Sequence, residues 1–247
     1  MHTKKYIFII ILMLSIFVIL AGCASTNIVR SEYTPKISSR SLTIEKDLAA
    51  KTKKPRILVL KFQDKRMGYK EKNTDALKSK DSSNYLIDFE DFKDPYFIWK
   101  GNGIQEYRLK TKTLCDYLNE SLIFDLSRLG FNIVSYNKSD LSFQEIIKNN
   151  QMIPANTLYV VSIDVLMCEP DFVAGLINID LFYYYYYRVT IYDVLKSKVV
   201  YHTELNRTVE GTPSAGHLGF GAMVDRLLND YLFEINYDIA EILVKYK

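Results

Sequence analysis

The first segment of the chain restricts its fold and its location more than any other feature. Lys4 and Lys5 precede a nearly unbroken apolar run of fifteen residues, from Tyr6 to Leu20. This run is too short for a helix that crosses the hydrocarbon core of a membrane, which needs about 20 residues. A short basic region followed by such a run is typical of an export signal. An uncleaved signal anchor is the alternative.

The apolar run ends in Leu20, Ala21, Gly22 and Cys23. These residues resemble the bacterial lipobox, in which the chain is cut before the cysteine and the thiol is joined to a lipid. We expect cleavage between Gly22 and Cys23 and a covalent lipid on Cys23, with no other cofactor. Several acyl chains anchor a protein stably, because each buried methylene contributes about 0.8 kcal/mol. Ala24 follows the cysteine and, by analogy with enteric lipoproteins, predicts an outer-membrane protein that faces the periplasm.

The composition of the whole chain is that of a globular protein. Of the 247 residues, 48% are apolar and 25% are charged, which excludes a disordered or collagen-like chain. The formal charge of +3 gives no indication of nucleic-acid binding. We predict a signal peptide at 1–22, an acylated cysteine with a flexible tether at 23–54, and one α/β domain at 55–247. Residues 67–108 form an irregular insertion, which holds short strands or serves as a lid or docking loop.

Hydrophobic periodicity predicts the elements of this domain. Leucines at helical spacing and a terminal glycine indicate a helix over 111–129 that ends at Gly130. Ser139 or Asp140 is expected to cap the next helix. The remaining predictions are strands at 56–62, 131–134, 158–167, 177–194 and 199–209, a turn at Lys196 and Ser197, and a final helix at 222–244. The order β-α-β-α-β-β-β-α predicts an α+β, two-layer fold: a mixed sheet with helices on one face.

An aromatic run lies within the predicted strand at 177–194. Successive side chains of a strand point to opposite faces, so Tyr183, Tyr185 and Tyr187 share one face and Phe182, Tyr184 and Tyr186 the other. We take Tyr183, Tyr185 and Tyr187 as a candidate partner surface. In the alternative, the insertion at 67–108 covers this row. Four further residues from loops at 85–99 and 211–221 complete the candidate surface: Phe92, Trp99, His217 and Phe220.

Motifs for catalysis or metal binding are weak in this sequence. After the signal, the chain has two histidines, His202 and His217, and His202 is expected to serve a surface or cross-strand role. The acidic cluster at 88–94 lacks the glycine of a calcium loop, so we predict no metal site. The glycines at 216–221 do not match a phosphate-binding loop and predict a connector. Cys115 and Cys168 are read as separate buried thiols, with a disulfide as the alternative.

A family resemblance follows from several short segments. Pro55, the hydrophobic strand after it, and the segment with Asp64 and Arg66 resemble the opening of YajG-type bacterial lipoproteins. The end of the helix at Gly130 and the hairpin at 190–201 are also similar. The order of elements resembles the TolB amino-terminal and curli-secretion lipoprotein domains. The resemblance implies roles in envelope interaction and assembly.

We therefore expect a non-catalytic interaction module that is held to the membrane by its lipid and binds an envelope protein. A homo-oligomer is a further open prediction. Two other functions remain open: an accessory lipoprotein of a lipid or export transporter, and a hydrolase acting on envelope glycans or lipids.

Overall fold

The computed structural model describes residues 26–29, 33, 35–50, 54–66, 97–100, 106–109, 111–135, 142–174, 179–211 and 220–245. The strands are β1 (Thr26–Val29), β2 (Arg56–Val59), β3 (Gln63–Asp64), β4 (Phe97–Lys100), β5 (Glu106–Leu109), β6 (Asn132–Ser135), β7 (Tyr159–Ala174), β8 (Ile179–Asp193) and β9 (Lys198–Gly211). The α-helices are α1 (Ser39–Ala49), α2 (Leu114–Leu129), α3 (Phe143–Lys148) and α4 (Phe220–Lys245).

Two sheets organise the described residues. The main sheet has the order β6-β2-β7-β8-β9, with β3 paired to β7. Its β6, β2 and β7 are parallel, whereas β7, β8 and β9 are antiparallel neighbours. The small sheet has the order β1-β5-β4. A mixed sheet combined with helices confirms the predicted α+β class, and the structure adds α1, β1, β3, β4 and β5 to the predicted elements.

Helices occupy both faces of the main sheet, which corrects the prediction of helices on one face. The side chains of Ile57 and Val59 join the main core with α1, α2 and α4. Leu58 points the other way and packs in a second cluster with Ile146 of α3. The chain moves from β2 outward to β6 and then back past β2 to β7. Helix α2 connects β2 to β6, and α3 connects β6 to β7. Connections of this kind between parallel strands are right-handed, so two connections that run in opposite directions along the sheet place their helices on opposite faces.

Helix α2 begins and ends where its local chemistry dictates. The side chain of Thr113 caps its start and accepts a hydrogen bond from the backbone N–H of Asp116 at 3.1 Å. Gly130 ends the helix with φ of +97°, a left-handed conformation that glycine adopts without strain. The five leucines of its predicted apolar stripe are all buried: Leu114, Leu118, Leu122, Leu126 and Leu129. The predicted helix and its stop at Gly130 are confirmed.

The predicted tether at 23–54 is wrong where the structure describes it. Residues 39–49 form α1, which begins with a capping box between Ser38 and Ser41 and buries Ile44 and Leu48. Ile37 and Leu42, the positions of a hydrophobic staple, are 75% and 57% exposed. The inward face of α1 carries only two large apolar residues beside Ser41, so the helical period is weak in the sequence.

Several predicted boundaries shift by a few residues. The segment 67–108 contains β4 and the first three residues of β5, in agreement with the alternative in which it holds short strands. Residues 67–96 and 101–105 lie outside the described residues. Ser142, rather than Ser139 or Asp140, caps α3 through a capping box with Glu145. The turn between β8 and β9 includes Lys196 and Ser197, as predicted, and Ser197 has φ of 50°.

Candidate functional site

The anchor-proximal region is the candidate site, because it joins the predicted lipid attachment to the folded domain. Gly22 and Cys23 lie outside the described residues, and β1 begins at Thr26, three positions after Cys23. Residues 33–50 then run across the helical layer, where α1 packs against α4 and α2. The part of the chain that the structure describes contains no helix that is long and apolar enough to cross a membrane.

Arg40 fixes α1 to α4. Its guanidinium donates to three carboxylates that recur along one face of α4: Glu241 at 2.5 Å, Asp238 at 2.5 Å and Glu234 at 3.0 Å. The Arg40 side chain is only 23% exposed. Hydrogen bonds to charged groups in such partly buried settings are stronger than those at open surfaces.

Arg207 of β9 completes this charge cluster. Its Nε and Nη2 donate to the two oxygens of Asp238 at 2.7 and 2.6 Å, a bidentate geometry that fits guanidinium to carboxylate. Burial alone would raise the pKa of Asp238, but the hydrogen bonds from Arg207 and Arg40 lower it below its usual range. Asp238 therefore joins α1, α4 and β9 through two arginines.

A second, buried polar network lies beneath the segment that leads into α1. Asp125 of α2 is fully buried and accepts hydrogen bonds from the Tyr33 hydroxyl and from Asn236 Nδ2, the latter at 2.8 Å. The Tyr237 hydroxyl donates to the carbonyl of Lys36 and accepts from Arg128. Burial raises the pKa of Asp125 and also that of Tyr33. Residues before α1 are therefore bound to the domain by polar contacts as well as by apolar packing.

The tyrosine row is core, which corrects its prediction as a partner surface. Tyr183, Tyr185 and Tyr187 are each 0% exposed and belong to the main core, beneath the helical layer. The Tyr185 hydroxyl donates to the carbonyl of Leu228 in α4 at 3.3 Å, and the Tyr187 ring packs edge-on against Phe62. Helices cover this row because it occupies the same sheet face as Val189 and Ile191.

Asp64 and Arg66, the residues of the family resemblance, form an ion pair at the end of β3, in which Arg66 is buried and Asp64 is exposed. Arg66 is 1% exposed and donates to both Asp64 oxygens at 2.7 to 3.1 Å. Cys115 and Cys168 are buried thiols, and burial raises the pKa of Cys115. The Sγ of Cys168 lies 3.6 Å from the Tyr183 hydroxyl. The prediction of two separate buried thiols is confirmed.

Several polar residues lie on the sheet face opposite the buried tyrosines. His202 lies opposite Thr190, and its Nδ1 is 2.9 Å from the Thr190 hydroxyl, which confirms the predicted cross-strand role. Arg188 lies between Glu204 at 2.7 Å and Asp164 at 3.8 Å. Burial raises the pKa of Asp164. The described ranges contain no group of three or more histidine, cysteine or acidic side chains placed to hold a metal.

The remaining residues of the predicted surface are Phe92, Trp99, His217 and Phe220. Phe92 and His217 lie outside the described residues, as does the acidic cluster at 88–94. Trp99 lies in β4 and Phe220 begins α4. Sequence reasoning missed the cluster around Arg40. Its signal was the spacing of Glu234, Asp238 and Glu241, which places three acids on one face of the final helix.

Comparisons with known proteins show likeness at the level of structure. No protein-family model matches the chain, and no curated protein matches its sequence. A protein from Xanthomonas campestris assigned to the family model DUF330 has a TM-score of 0.46 and 13% identity, over 88% of this chain and 94% of its own.

Two further solved structures are similar over most of their length. A putative neuraminyllactose-binding hemagglutinin homologue from Helicobacter pylori has a TM-score of 0.43 and 9% identity, over 87% of this chain and 94% of its own. Lipoprotein GNA1162 from Neisseria meningitidis has a TM-score of 0.26 and 11% identity, over 73% of this chain and 97% of its own. None of these comparisons tests the resemblance to YajG-type lipoproteins, which stays a prediction.

Proposed function

We propose that the chain is a lipid-anchored protein of the bacterial envelope, with its lipid on Cys23, and that its domain binds an envelope protein without catalysis. We place it at the outer membrane, facing the periplasm. One observation carries the proposal. A short basic region, an apolar run and a lipobox follow one another and end at Cys23, and β1 of the folded domain begins at Thr26. The lipid on Cys23 would thus hold a folded domain at the membrane.

The ion pairs of three arginines support the non-catalytic part of this proposal. Arg40, Arg66 and Arg207 each pair with carboxylates that lie between elements or at strand ends, so these charges hold the fold together. A general acid or base must instead face a reacting group within hydrogen-bond reach.

Strand β9 is the surface that we propose for the protein partner. In the described part of the chain, β9 pairs with β8 along one side and forms an edge of the main sheet. An edge strand presents backbone groups that can pair with a strand of another chain. Val199, near the start of β9, is 45% exposed, and Leu195 in the adjoining turn is 80% exposed. These residues offer apolar contacts next to the strand edge.

Metabolic labelling with an alkyne fatty acid tests the anchor. We expect the wild-type protein to incorporate the label and the Cys23→Ser variant to lack it. Membrane fractionation of the same cells would place the labelled protein in the outer membrane. Equal labelling of both proteins would refute lipidation at Cys23.

Site-specific photocrosslinking in cells tests the partner surface. A photoreactive residue would replace Val199 or Asn206 on β9, and Ser127 on α2 would be the control, since all three positions are exposed. We expect a discrete adduct with one envelope protein from the β9 positions and none from Ser127. An adduct with a second copy of the chain would instead indicate a homo-oligomer. No adduct from β9 would refute this surface.

A further inference from the structure

The distance between the lipid and the domain is short. Only Ala24 and Ser25 separate Cys23 from β1. Fully extended residues span at most about 3.6 Å each, so the Cα of Thr26 lies within about 11 Å of that of Cys23. A tether through residue 54, as first predicted, would allow a reach of roughly 30 Å. This short distance matters only if Cys23 carries the lipid, as proposed above.

The register of the small sheet places three strand ends next to this attachment. Thr26 of β1 pairs with Glu106 of β5, and Glu106 pairs with Lys100 of β4. The next row contains Tyr107 and Trp99, which are paired with each other. Because neighbouring strands lie about 4.8 Å apart, β4 is about 10 Å from β1. Lys100 and Trp99 are therefore in the part of the domain that the lipid holds closest to the bilayer.

Three residues in these two rows, Lys100, Trp99 and Tyr107, are of types that fit the surface of a bilayer. Tryptophan and tyrosine concentrate where the hydrocarbon core meets water, because their rings are apolar and carry one polar atom. Lysine extends its apolar stem along such a boundary and keeps its charge among the headgroups. We propose that this end of the small sheet, where Lys100, Trp99 and Tyr107 lie beside the start of β1, contacts the phospholipid headgroups of the bilayer that holds the Cys23 lipid.

Contact at this end would orient the whole domain. The small sheet is joined to the rest of the protein, since β1 packs against α4 and β4 packs against β7. Helix α4 in turn holds α1 through Arg40. A domain attached at one residue with a long tether would sample many orientations. A domain that also contacts lipid through the small sheet presents a defined face to the periplasm.

Trp99 supplies the measurement, because it is the only tryptophan in the chain. The lipidated protein is purified from cells, its lipid on Cys23 is confirmed by intact mass, and it is inserted into phosphatidylcholine vesicles. Half of the samples contain lipids with a nitroxide at the headgroup. We expect the nitroxide lipids to quench the Trp99 emission. We also expect the emission of the vesicle-bound protein to lie at shorter wavelength than that of unlipidated protein in buffer without detergent.

A matched variant carries a 20-residue Gly-Ser linker between Ala24 and Ser25, which adds a reach of roughly 25 Å and leaves every folded residue unchanged. Weaker quenching in this variant would support contact through the short attachment, and equal quenching would support affinity of the sheet itself for headgroups. Emission of the native protein that is identical in labelled and unlabelled vesicles would overturn the inference. A mass without lipid would instead refute the proposed function.

Discussion

At the residue scale, Tyr185 and Tyr187 show how position within the core determines what a buried hydroxyl contributes to the stability of the fold. Both residues are fully buried on the same face of β8. The Tyr185 hydroxyl reaches the carbonyl of Leu228, whereas the Tyr187 hydroxyl has no hydrogen-bond partner among the described residues. Burial raises the pKa of Tyr187, so its hydroxyl stays protonated. An unsatisfied buried polar group costs about 1–3 kcal/mol.

The pair Tyr185→Phe and Tyr187→Phe tests this difference. We expect Tyr187→Phe to leave the free energy of unfolding unchanged or to raise it by about 1 kcal/mol, because it removes an unsatisfied hydroxyl. Tyr185→Phe is expected to lower it by about 1 kcal/mol through loss of a hydrogen bond. Urea denaturation measures both values. A larger loss for Tyr187→Phe than for Tyr185→Phe would contradict the assignment.

Asp125 predicts a dependence of stability on pH. Burial raises the pKa of this carboxyl, despite its hydrogen bonds from Tyr33 and Asn236 and the guanidinium of Arg128 4.0 Å away. The folded protein therefore binds the Asp125 proton more tightly than the unfolded chain does. The contribution of Asp125 to the free energy of unfolding is fully present below the ordinary carboxyl pKa of about 3.9. It is lost as the pH rises through the raised pKa of Asp125 in the folded protein.

The Asp125→Asn variant removes this titration. We expect the free energy of unfolding of the wild type to fall relative to the variant as the pH rises above about 4, the ordinary pKa of a carboxyl group. Asp116→Asn on the same helix is the control. Burial opposes ionisation of Asp116, but hydrogen bonds involving Lys61 and Thr113 lower its pKa, so its contribution is lost as the pH falls. Parallel pH profiles for the wild type and Asp125→Asn would contradict the prediction.

At the scale of elements, Arg40 is the main polar link between α1 and α4. Replacement by glutamine leaves Glu234, Asp238 and Glu241 without their shared cation. We expect Arg40→Gln to lower the free energy of unfolding by about 1–3 kcal/mol, a range for charged hydrogen bonds at a partly exposed site. Hydrogen exchange should show that the amides of α1 lose protection before those of α2. Arg207 pairs with Asp238 and links β9, rather than α1, to α4, so Arg207→Gln should leave protection of α1 largely intact.

Local signals explain which elements could be predicted from sequence. Helix α2 has leucines at helical spacing and a glycine that fits its left-handed end, so its end was predicted correctly, whereas its start lies three residues after the predicted one. Helix α1 buries Ser41 with two apolar residues, and a helix with so narrow an apolar stripe is stabilised mainly by its contacts with α4. The tyrosine row could not be assigned to a face, because strict alternation is the same for both faces and packing of the helices decides between them.

At the scale of the whole molecule, the described part of segment 26–50 belongs to the folded domain. Ile44 and Leu48 are 3% and 1% exposed, and Tyr33 closes the buried site around Asp125. A chain that begins at Pro55, the predicted start of the domain, would expose this apolar surface and leave Asp125 with fewer hydrogen bonds. Burial of each large apolar side chain contributes about 1.5–3 kcal/mol.

We therefore expect the chain 55–247 to be several kcal/mol less stable than the chain 25–247, since two apolar side chains and the contacts of Arg40 are lost together. Urea denaturation of the two chains measures the difference. A synthetic peptide of residues 25–54 provides the control, because its addition should restore part of the stability of the shorter chain. If both chains unfold at the same urea concentration and the peptide has no effect, the segment is a tether in solution. A loss that the peptide reverses shows instead that residues within 25–54 belong to the folded domain, because the packing of α1 against α4 can then be rebuilt from a separate chain.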